Sequence, residues 1–442
     1  MSTSARRVLS PLSLRANFSW TFVGNVIFAA SQWGMLVVLT KLGSPEMVGQ
    51  FALGLAITVP IMSFATLKTR LVQATDAKRE YEFADYFGLR LITTSLALLI
   101  IAGIALLTDY QIETRLVILA VGVAKAFESI SDVFYGLLQQ RERMDRIAKS
   151  MMIRGPLSLA ALGIGTYLTG SAIGGVVGLA SASALVLVLY DVRSVALMLP
   201  EPDDMVSDEG DQRSVVRPNW EMRTLVSLAW LSLPLGMVLA LESLVTSIPR
   251  YFIAEHQGEY ALGIFAPMAY VKRAGNIVAI ALGLSASPRL AKYYAEGKVK
   301  AYRGLLLKLV GVGVLLGGAG VLVAVVFGRE ILTILYRPEY AEYQDVFVML
   351  MVAAGIAYVA TFLDYGMTAA RYFRAQLPLF ALVTAVTVLA CLWLVPVHGL
   401  RGAAMAVLIS SVVRATGSLA IVLYALRALR KRIVEHTSYY QE

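Results

Sequence analysis

The sequence predicts an all-α polytopic membrane protein with twelve transmembrane helices, in two pseudo-symmetric six-helix lobes around a central cavity. Of the 442 residues, 58% are hydrophobic and only 16% are charged, whereas about a quarter of an ordinary soluble domain is charged. The apolar residues fall into runs of about 20 residues, the length that crosses a bilayer as a helix. Lys and Arg are concentrated in alternate polar segments between these runs, as in proteins that cross the membrane repeatedly. A water-soluble globule is therefore excluded.

Twelve spans follow when the apolar runs are read against the polar residues that separate them. The predicted spans are 17–40, 47–67, 83–108, 116–138, 150–168, 172–190, 223–249, 261–287, 304–327, 344–369, 375–396 and 399–426.

The orientation of these spans follows from the basic residues. With the N-terminus in the cytoplasm, the cytoplasmic segments hold 26 of the 39 Lys and Arg residues. The outer loops hold only six: Lys41, Arg115, Arg250, Arg329, Arg337 and Arg401. We therefore expect a multi-pass protein of the cytoplasmic (inner) membrane with both termini cytoplasmic. The net charge of +9 arises from these loops, and no nucleic-acid partner is expected.

The domain organisation follows from one long polar interruption and an internal repeat. The interruption predicts an N-terminal six-helix lobe at 1–190, a cytoplasmic acidic linker at 191–222, and a C-terminal lobe with a cytoplasmic tail at 223–442. Its acidic residues are Glu201, Asp203, Asp204, Asp208, Glu209 and Asp211. Residues 46–55 (EMVGQFALGL) match residues 255–264 (EHQGEYALGI) at an offset of 209. Each half has an even number of helices, so the pseudo-twofold axis should lie along the membrane normal, as in two-lobed transporters.

At these motifs the sequence resembles the polysaccharide transporter (Wzx-type oligosaccharide flippase) branch of the multidrug/oligosaccharidyl-lipid/polysaccharide exporter superfamily. The repeated Gly-x-Phe/Tyr-Ala-Leu-Gly entries to spans two and eight carry the resemblance. So do the segments 287–297 (SPRLAKYYAEG), 327–332 (FGREIL) and 335–340 (LYRPEY).

The resemblance implies a flippase or exporter and not an enzyme. Its substrate would be a lipid-linked (undecaprenyl-diphosphate type) oligosaccharide for cell-surface polysaccharide synthesis, moved across the cytoplasmic membrane by alternating access. Expected partners are this substrate and the polysaccharide polymerase and glycosyltransferases of the same pathway.

Basic side chains within the predicted spans outnumber acidic ones. Ionisable groups in hydrocarbon are costly, so each should face a cavity, a partner or the interface. Lys308 and Arg154 lie within about one turn of the cytoplasmic face and are expected to act as interfacial anchors. Five others are predicted to line a cationic cavity that binds the diphosphate: Arg90, Lys125, Lys272, Arg273 and Arg414. The alternative for each is a structural ion pair.

The acidic residues within the spans are candidates for ion coupling. Lys125, Glu128 and Asp132 share one helix face, which fits either a structural ion cluster or a carboxylate coupled to protons or Na⁺. Glu242 and Asp364 lack a basic neighbour at helical spacing. They are coupling candidates, or they pair across helices with Arg273 or Arg414.

No cofactor or metal is expected beyond coupling to a proton or Na⁺ gradient. The three histidines, His256, His398 and His436, are scattered and are expected in loops, and Cys391 has no disulfide partner. Pro60, Pro234 and Pro267 lie within predicted spans, where each is either a tolerated kink or a gate hinge.

Two other functions fit parts of the pattern. A multidrug and toxin exporter of the same superfamily would have the same helices, but its cavity should be aromatic and acidic to take up organic cations. The clear acids within the spans number four, Glu128, Asp132, Glu242 and Asp364, against seven basic residues, and this balance favours an anion instead. A membrane glycan polymerase would need a catalytic platform on the outer face, and the predicted outer loops are short and carry no convincing acid pair or His/Asp constellation.

Overall fold

The computed structural model describes residues 12–76, 80–198 and 217–439, and its regular elements over these residues are all helical. The helices of the first half are α1 (Leu14–Leu42), α2 (Pro45–Ala65), α3 (Thr69–Thr75), α4 (Phe83–Leu107), α5 (Ile112–Gln140), α6 (Met144–Thr169), α7 (Ala172–Val186) and α8 (Val192–Ala196). A π-helical turn, Leu187–Asp191, joins α7 to α8. The later helices are α9 (Met222–Ala295), α10 (Val299–Leu335), α11 (Gln344–Ala369) and α12 (Gln376–Tyr439), with 3₁₀ turns at Pro338–Tyr343 and Phe373–Ala375.

The protein is a multi-pass membrane protein. Nine helical segments within the described residues are long and apolar enough to span a bilayer. Two of them, α9 and α12, each contain a non-helical glycine, Gly258 and Gly399. The 29-residue helix α5 is not among the nine. Dividing α9 and α12 at their glycines and adding α5 would give the predicted twelve, so the count of twelve stays a prediction.

Large apolar side chains cover the outside of these helices. Leu107, Trp393 and Leu315 expose 87%, 80% and 74% of their surface. A soluble protein rarely exposes contiguous apolar surface on this scale, whereas a helix that faces lipid must expose apolar side chains.

Helix ends follow recognisable capping signals. Ser13 precedes α1 and its hydroxyl accepts the Ala16 N–H at 3.3 Å. The Ser171 hydroxyl similarly accepts the Gly174 N–H at 3.3 Å at the start of α7. Glu82 and Asp85 form a reciprocal capping box at the start of α4. These bonds satisfy N–H groups that a helix terminus leaves without a partner.

The helix that ends the first half extends beyond the predicted end at residue 190. It continues through the π turn and α8 to Ala196, and Asp191 is fully buried. The acidic residues predicted in the linker, 201–211, lie outside the described residues.

By contacts, the chain divides into two compact units, Met1–Ala240 and Leu241–Glu442. In the first unit, glycines allow close helix packing. A Cβ at Gly165 of α6 would overlap the Gly174 carbonyl of α7, and one at Gly24 of α1 would lie 2.8 Å from the Ala148 Cα of α6. Small residues at such crossings permit the close backbone approach that is typical of membrane helices.

In the second unit, α10 and α11 approach at Gly317 and Gly355, where a Cβ on Gly317 would overlap the Gly355 backbone. A buried cluster that includes Tyr302, Tyr358 and Phe362 fills the space among α9, α10, α11 and α12. The two-lobe arrangement around a central cavity stays a prediction, since each unit is described by itself.

Glycines in the left-handed region interrupt two of these helical segments. Gly170 ends α6 with φ of 63° before α7, and Gly399 has φ of 55° between the two limbs of α12. Glycine adopts this left-handed conformation without the steric cost that other residues incur.

Candidate functional site: a cationic cavity in the second unit

The second unit contains a cavity of about 70 Å³ whose wall carries three basic side chains. α9 contributes Arg250 and Lys272, and α12 contributes Arg414. The remaining wall is apolar or carries hydroxyls: Val245, Thr246, Pro249, Phe265, Ala269, Leu350, Ala357, Val383, Val407, Ser410 and Ser411. This volume holds several waters, since a cavity of about 10–15 Å³ is enough for one, and it suits a small charged group and not a whole oligosaccharide.

Both limbs of α9 reach this cavity. Gly258, with φ of 79°, divides α9 into a first limb that carries Arg250 and a second limb that carries Lys272. Phe265, Ala269 and Lys272 are spaced at i, i+4 and i+7, which places them on one face of the second limb. The break at Gly258 thus brings two basic residues, 22 positions apart in sequence, to one cavity.

Arg414 is held by a carboxylate from α11. Its Nη2 and Nε donate to Asp364 Oδ2 at 2.7 and 3.0 Å, and Ser418 donates to Asp364 Oδ1 at 2.5 Å. Glu242 lies farther away, with its Oε1 3.9 Å from Arg414 Nη2. The Arg414 guanidinium also lies 5.1 Å from the centre of the Phe380 ring. This geometry agrees with the predicted alternative, in which Asp364 and Glu242 pair across helices with Arg414.

Arg250 and Lys272 have no carboxylate partner among the residues that the structure describes. The hydroxyls nearby are already engaged: Ser410 donates to the Ala406 carbonyl at 2.6 Å and Ser411 to the Val407 carbonyl at 2.8 Å. The groups left to bind a ligand are therefore an ammonium and a guanidinium, and in a partly buried site both favour an anion.

Arg273, predicted together with Lys272, does not line this cavity. Its side chain is exposed, donates to the Tyr270 hydroxyl at 2.8 Å, and lies 5.0 Å from the centre of that ring. The two neighbours point in different directions because successive helical residues are about 100° apart. Substrate binding by Arg273 stays a prediction.

In the first unit, Arg90 is a buried structural cation. It is 1% exposed, and its terminal nitrogens donate to Ser129 at 3.2 Å, Thr69 at 2.7 Å and Asp132 at 3.3 Å. Arg70 from α3 shares the Asp132 carboxylate at 3.4 Å. This arrangement does not support the prediction that Arg90 contacts substrate.

The predicted cluster of Lys125, Glu128 and Asp132 separates into two groups. Lys125 and Glu128 form an ion pair at 2.7 Å on α5, whereas Asp132 pairs with Arg90 and Arg70. Helical spacing therefore predicted the first pair correctly, and the partners of Asp132 come from other helices. An ion-coupling role for Glu128 or Asp132 stays a prediction.

Arg154 was expected to be an interfacial anchor, and this expectation is wrong. Its side chain is 4% exposed and lies 2.5 Å from Asp191 Oδ2. Ser150 donates to the other Asp191 oxygen at 2.5 Å, and the Tyr135 and Ser150 hydroxyls share a hydrogen bond at 2.7 Å. Asp191 follows the last apolar run of the first half, which predicts a linker residue, but its side chain is buried and its charge is compensated by Arg154.

The expectation that histidines lie in loops is also wrong, since His256 and His398 are within α9 and α12. Among the described residues, no group of three His, Cys, Asp or Glu side chains is arranged to hold a metal ion.

Sequence reasoning missed Arg250, because the polar residues Glu255, His256 and Gln257 after it suggested an outer loop. The structure continues the first limb of α9 through this segment. One signal was available: Thr246 and Arg250 are four residues apart, so a continued helix places both on one face.

A family model described as a polysaccharide biosynthesis protein matches residues 14–294. The chain belongs to this family. A polysaccharide biosynthesis relative, the capsular polysaccharide biosynthesis protein CapF of Staphylococcus aureus, is 29% identical over 403 residues, which cover 90% of this chain and 96% of the relative.

Two solved structures show which fold this chain has. An inward-facing multidrug resistance MATE family transporter of the MOP superfamily has a TM-score of 0.62 at 15% identity, covering 97% of this chain and 98% of that one. A MOP superfamily transporter from Pyrococcus furiosus, described as having a binding pocket of reverse polarity, has a TM-score of 0.61 at 15% identity, covering 97% and 99%. The family match and the capsular relative bear out the predicted resemblance to polysaccharide biosynthesis proteins, and these structures show that the chain has the fold which the resemblance implied.

Proposed function

We propose that this protein is a flippase that moves a lipid-linked oligosaccharide of the undecaprenyl-diphosphate type across the cytoplasmic membrane for cell-surface polysaccharide synthesis. The observation that carries the proposal is the cavity in the second unit, where Arg250 and Lys272 have no carboxylate partner in the described part of the chain. The family match and the capsular polysaccharide relative support a glycan substrate.

The chemistry of the substrate fits this cavity. A lipid-linked oligosaccharide has an apolar tail that can stay in the bilayer, while its diphosphate must cross a medium of low dielectric. An ammonium and a guanidinium that lack a carboxylate partner in the described residues would offer charge-assisted hydrogen bonds to the phosphate oxygens. The cavity volume of about 70 Å³ suits the charged head group alone, so the glycan and tail would lie outside it.

Movement would follow alternating access between the two lobes, with both termini cytoplasmic. Asp364 is the coupling candidate with the shortest contact to a cavity residue, since its Oδ2 lies 2.7 Å from Arg414 Nη2. Protonation of Asp364 would weaken this pair and leave a third cation for the anionic substrate. Glu242, with 49% of its side chain exposed, is a second acceptor for a coupling proton or Na⁺.

A multidrug exporter is the competing function, because the structural neighbours include MATE family transporters. The charge of the cavity separates the two functions: an organic cation would be repelled by Arg250 and Lys272, and an anion would be attracted. A membrane polymerase is less well supported, since the solved structures that share this fold include transporters.

The test is transport by the purified protein in liposomes. We expect flipping of a fluorescent polyprenyl-diphosphate oligosaccharide, and no inhibition of this flipping by an excess of ethidium. Uptake of ethidium without flipping of the lipid-linked glycan would overturn the proposal and support the multidrug exporter.

A further inference from the structure

The backbone of Lys272 is held in place by a tyrosine from another helix. The Tyr358 hydroxyl of α11 donates to the Lys272 carbonyl of α9 at 2.7 Å. Tyr358 is 3% exposed and does not line the cavity, although its neighbour Ala357 does. A helical carbonyl has two lone pairs, so it can accept this bond together with its own helical bond.

Glycine on α9 makes this contact possible. A Cβ at Gly275, three residues after Lys272, would overlap the phenol ring of Tyr358. The ring therefore packs directly against the α9 backbone one turn from Lys272. On its other sides Tyr358 belongs to the buried cluster of the second unit, so the position of its hydroxyl is fixed by packing.

Two further tyrosines hold the same limb of α9. The Tyr336 hydroxyl donates to the Pro267 carbonyl at 3.0 Å, and the Tyr340 hydroxyl donates to the Gly263 carbonyl at 3.3 Å. Pro267 has no N–H, so the carbonyl of Gly263, four residues earlier, lacks its usual helical donor. Tyr340 supplies the missing bond. Three buried hydroxyls therefore fix the stretch of α9 between 263 and 272.

We propose that Tyr358 is a positioning residue for anion binding: its hydroxyl fixes the Lys272 backbone so that the ammonium is directed into the cavity. This inference rests on the proposed function, in which Lys272 binds the diphosphate. A bound anion would gain from a fixed lysine because less conformational freedom is lost on binding.

The chain offers a matched control for this contact. The Tyr302 hydroxyl donates to the Gly366 carbonyl at 2.7 Å, and Tyr302 is fully buried in the same cluster. Tyr302→Phe thus removes an equivalent hydroxyl from the same unit, without a contact to Lys272. The experiment measures binding of undecaprenyl diphosphate to the purified full chain in detergent, together with thermal unfolding, for both variants. Each is made with Lys272 intact and with Lys272→Ala.

We expect Lys272→Ala to weaken binding about tenfold or more, the effect of losing one charge-assisted bond. Tyr358→Phe should weaken binding about threefold or more, and this effect should vanish when Lys272 is already alanine. Tyr302→Phe should lower the unfolding temperature as much as Tyr358→Phe does and leave binding unchanged.

Four outcomes would overturn the inference. An effect of Tyr358→Phe that persists in the Lys272→Ala protein would show that the tyrosine acts only through general stability, and so would equal losses of binding for Tyr302→Phe and Tyr358→Phe. Unchanged binding for Lys272→Ala would contradict the proposed anion site, and with it the inference that rests on this site. Weakened binding for Lys272→Ala with normal binding for Tyr358→Phe would contradict the positioning role alone.

Discussion

Arg414 donates two hydrogen bonds to a single oxygen of Asp364, at 2.7 and 3.0 Å, across the gap between α12 and α11. Both side chains are mostly buried, with 21% and 17% exposed. The cavity therefore contains one neutralised cation, Arg414, beside two that lack a carboxylate partner in the described residues, Arg250 and Lys272. This difference separates the structural role of Arg414 from the binding role proposed for the other two.

The Arg414 and Asp364 pair predicts a stability effect. Asp364→Ala should lower the free energy of unfolding by about 3 kcal/mol, because the mostly buried Arg414 charge would keep only the more distant Glu242 carboxylate as a partner. Adding Arg414→Met should recover much of this loss. Unfolding of the purified protein in detergent measures these free energies, and Lys308→Ala, which removes a charge from an exposed position, is the control. Equal stability of the single and double variants would contradict the pair.

A second buried pair, Arg154 with Asp191, predicts a similar effect in the first unit. Asp191→Ala should lower the free energy of unfolding by about 3–5 kcal/mol, whereas a residue of a solvated linker would tolerate this change. Glu113→Ala on exposed α5 surface is the matched control. If Asp191→Ala were as stable as the wild type, the buried pair would be contradicted and Asp191 would behave as a linker residue.

These two pairs show what the sequence could and could not predict. Hydropathy predicted the helical architecture, and helical spacing predicted the Lys125 and Glu128 pair. The partners of Asp364 and Asp191 come from other helices. Which residues pair across helices depends on how the helices pack, and the spacing of residues along one helix does not predict this packing. Lys272 was predicted as a cavity residue from its depth in a span. Arg250 was missed because a polar segment followed it, although the helix continues to Gly258.

The topology can be tested with reporter fusions. Fusions at residues 205 and 435 should report the cytoplasm, and fusions at 110, 256 and 335 should report the outside, since Lys and Arg are concentrated on the cytoplasmic side. A cytoplasmic report at 256 would mean that the number of spans in the second half is wrong.

The acidic linker predicts a tolerant region. Deletion of 203–211, which lies outside the described residues, should leave insertion and transport largely intact, because shortening of a polar loop has only a small energetic effect. Flipping of a lipid-linked glycan measures this. Loss of flipping in a correctly inserted deletion protein would assign the linker a regulatory or partner-binding role.

The most direct test of the proposed function is the rate at which proteoliposomes flip a polyprenyl-diphosphate oligosaccharide when Arg250 and Lys272 are removed, the two cavity cations without a carboxylate partner in the described residues. The double variant Arg250→Ala/Lys272→Ala should flip at least about tenfold more slowly, since it loses two charge-assisted contacts to the diphosphate. The control Arg303→Ala/Lys308→Ala removes the same charges from exposed positions of α10 and should flip at the wild-type rate. Wild-type flipping by Arg250→Ala/Lys272→Ala would contradict the claim that this cavity binds the substrate.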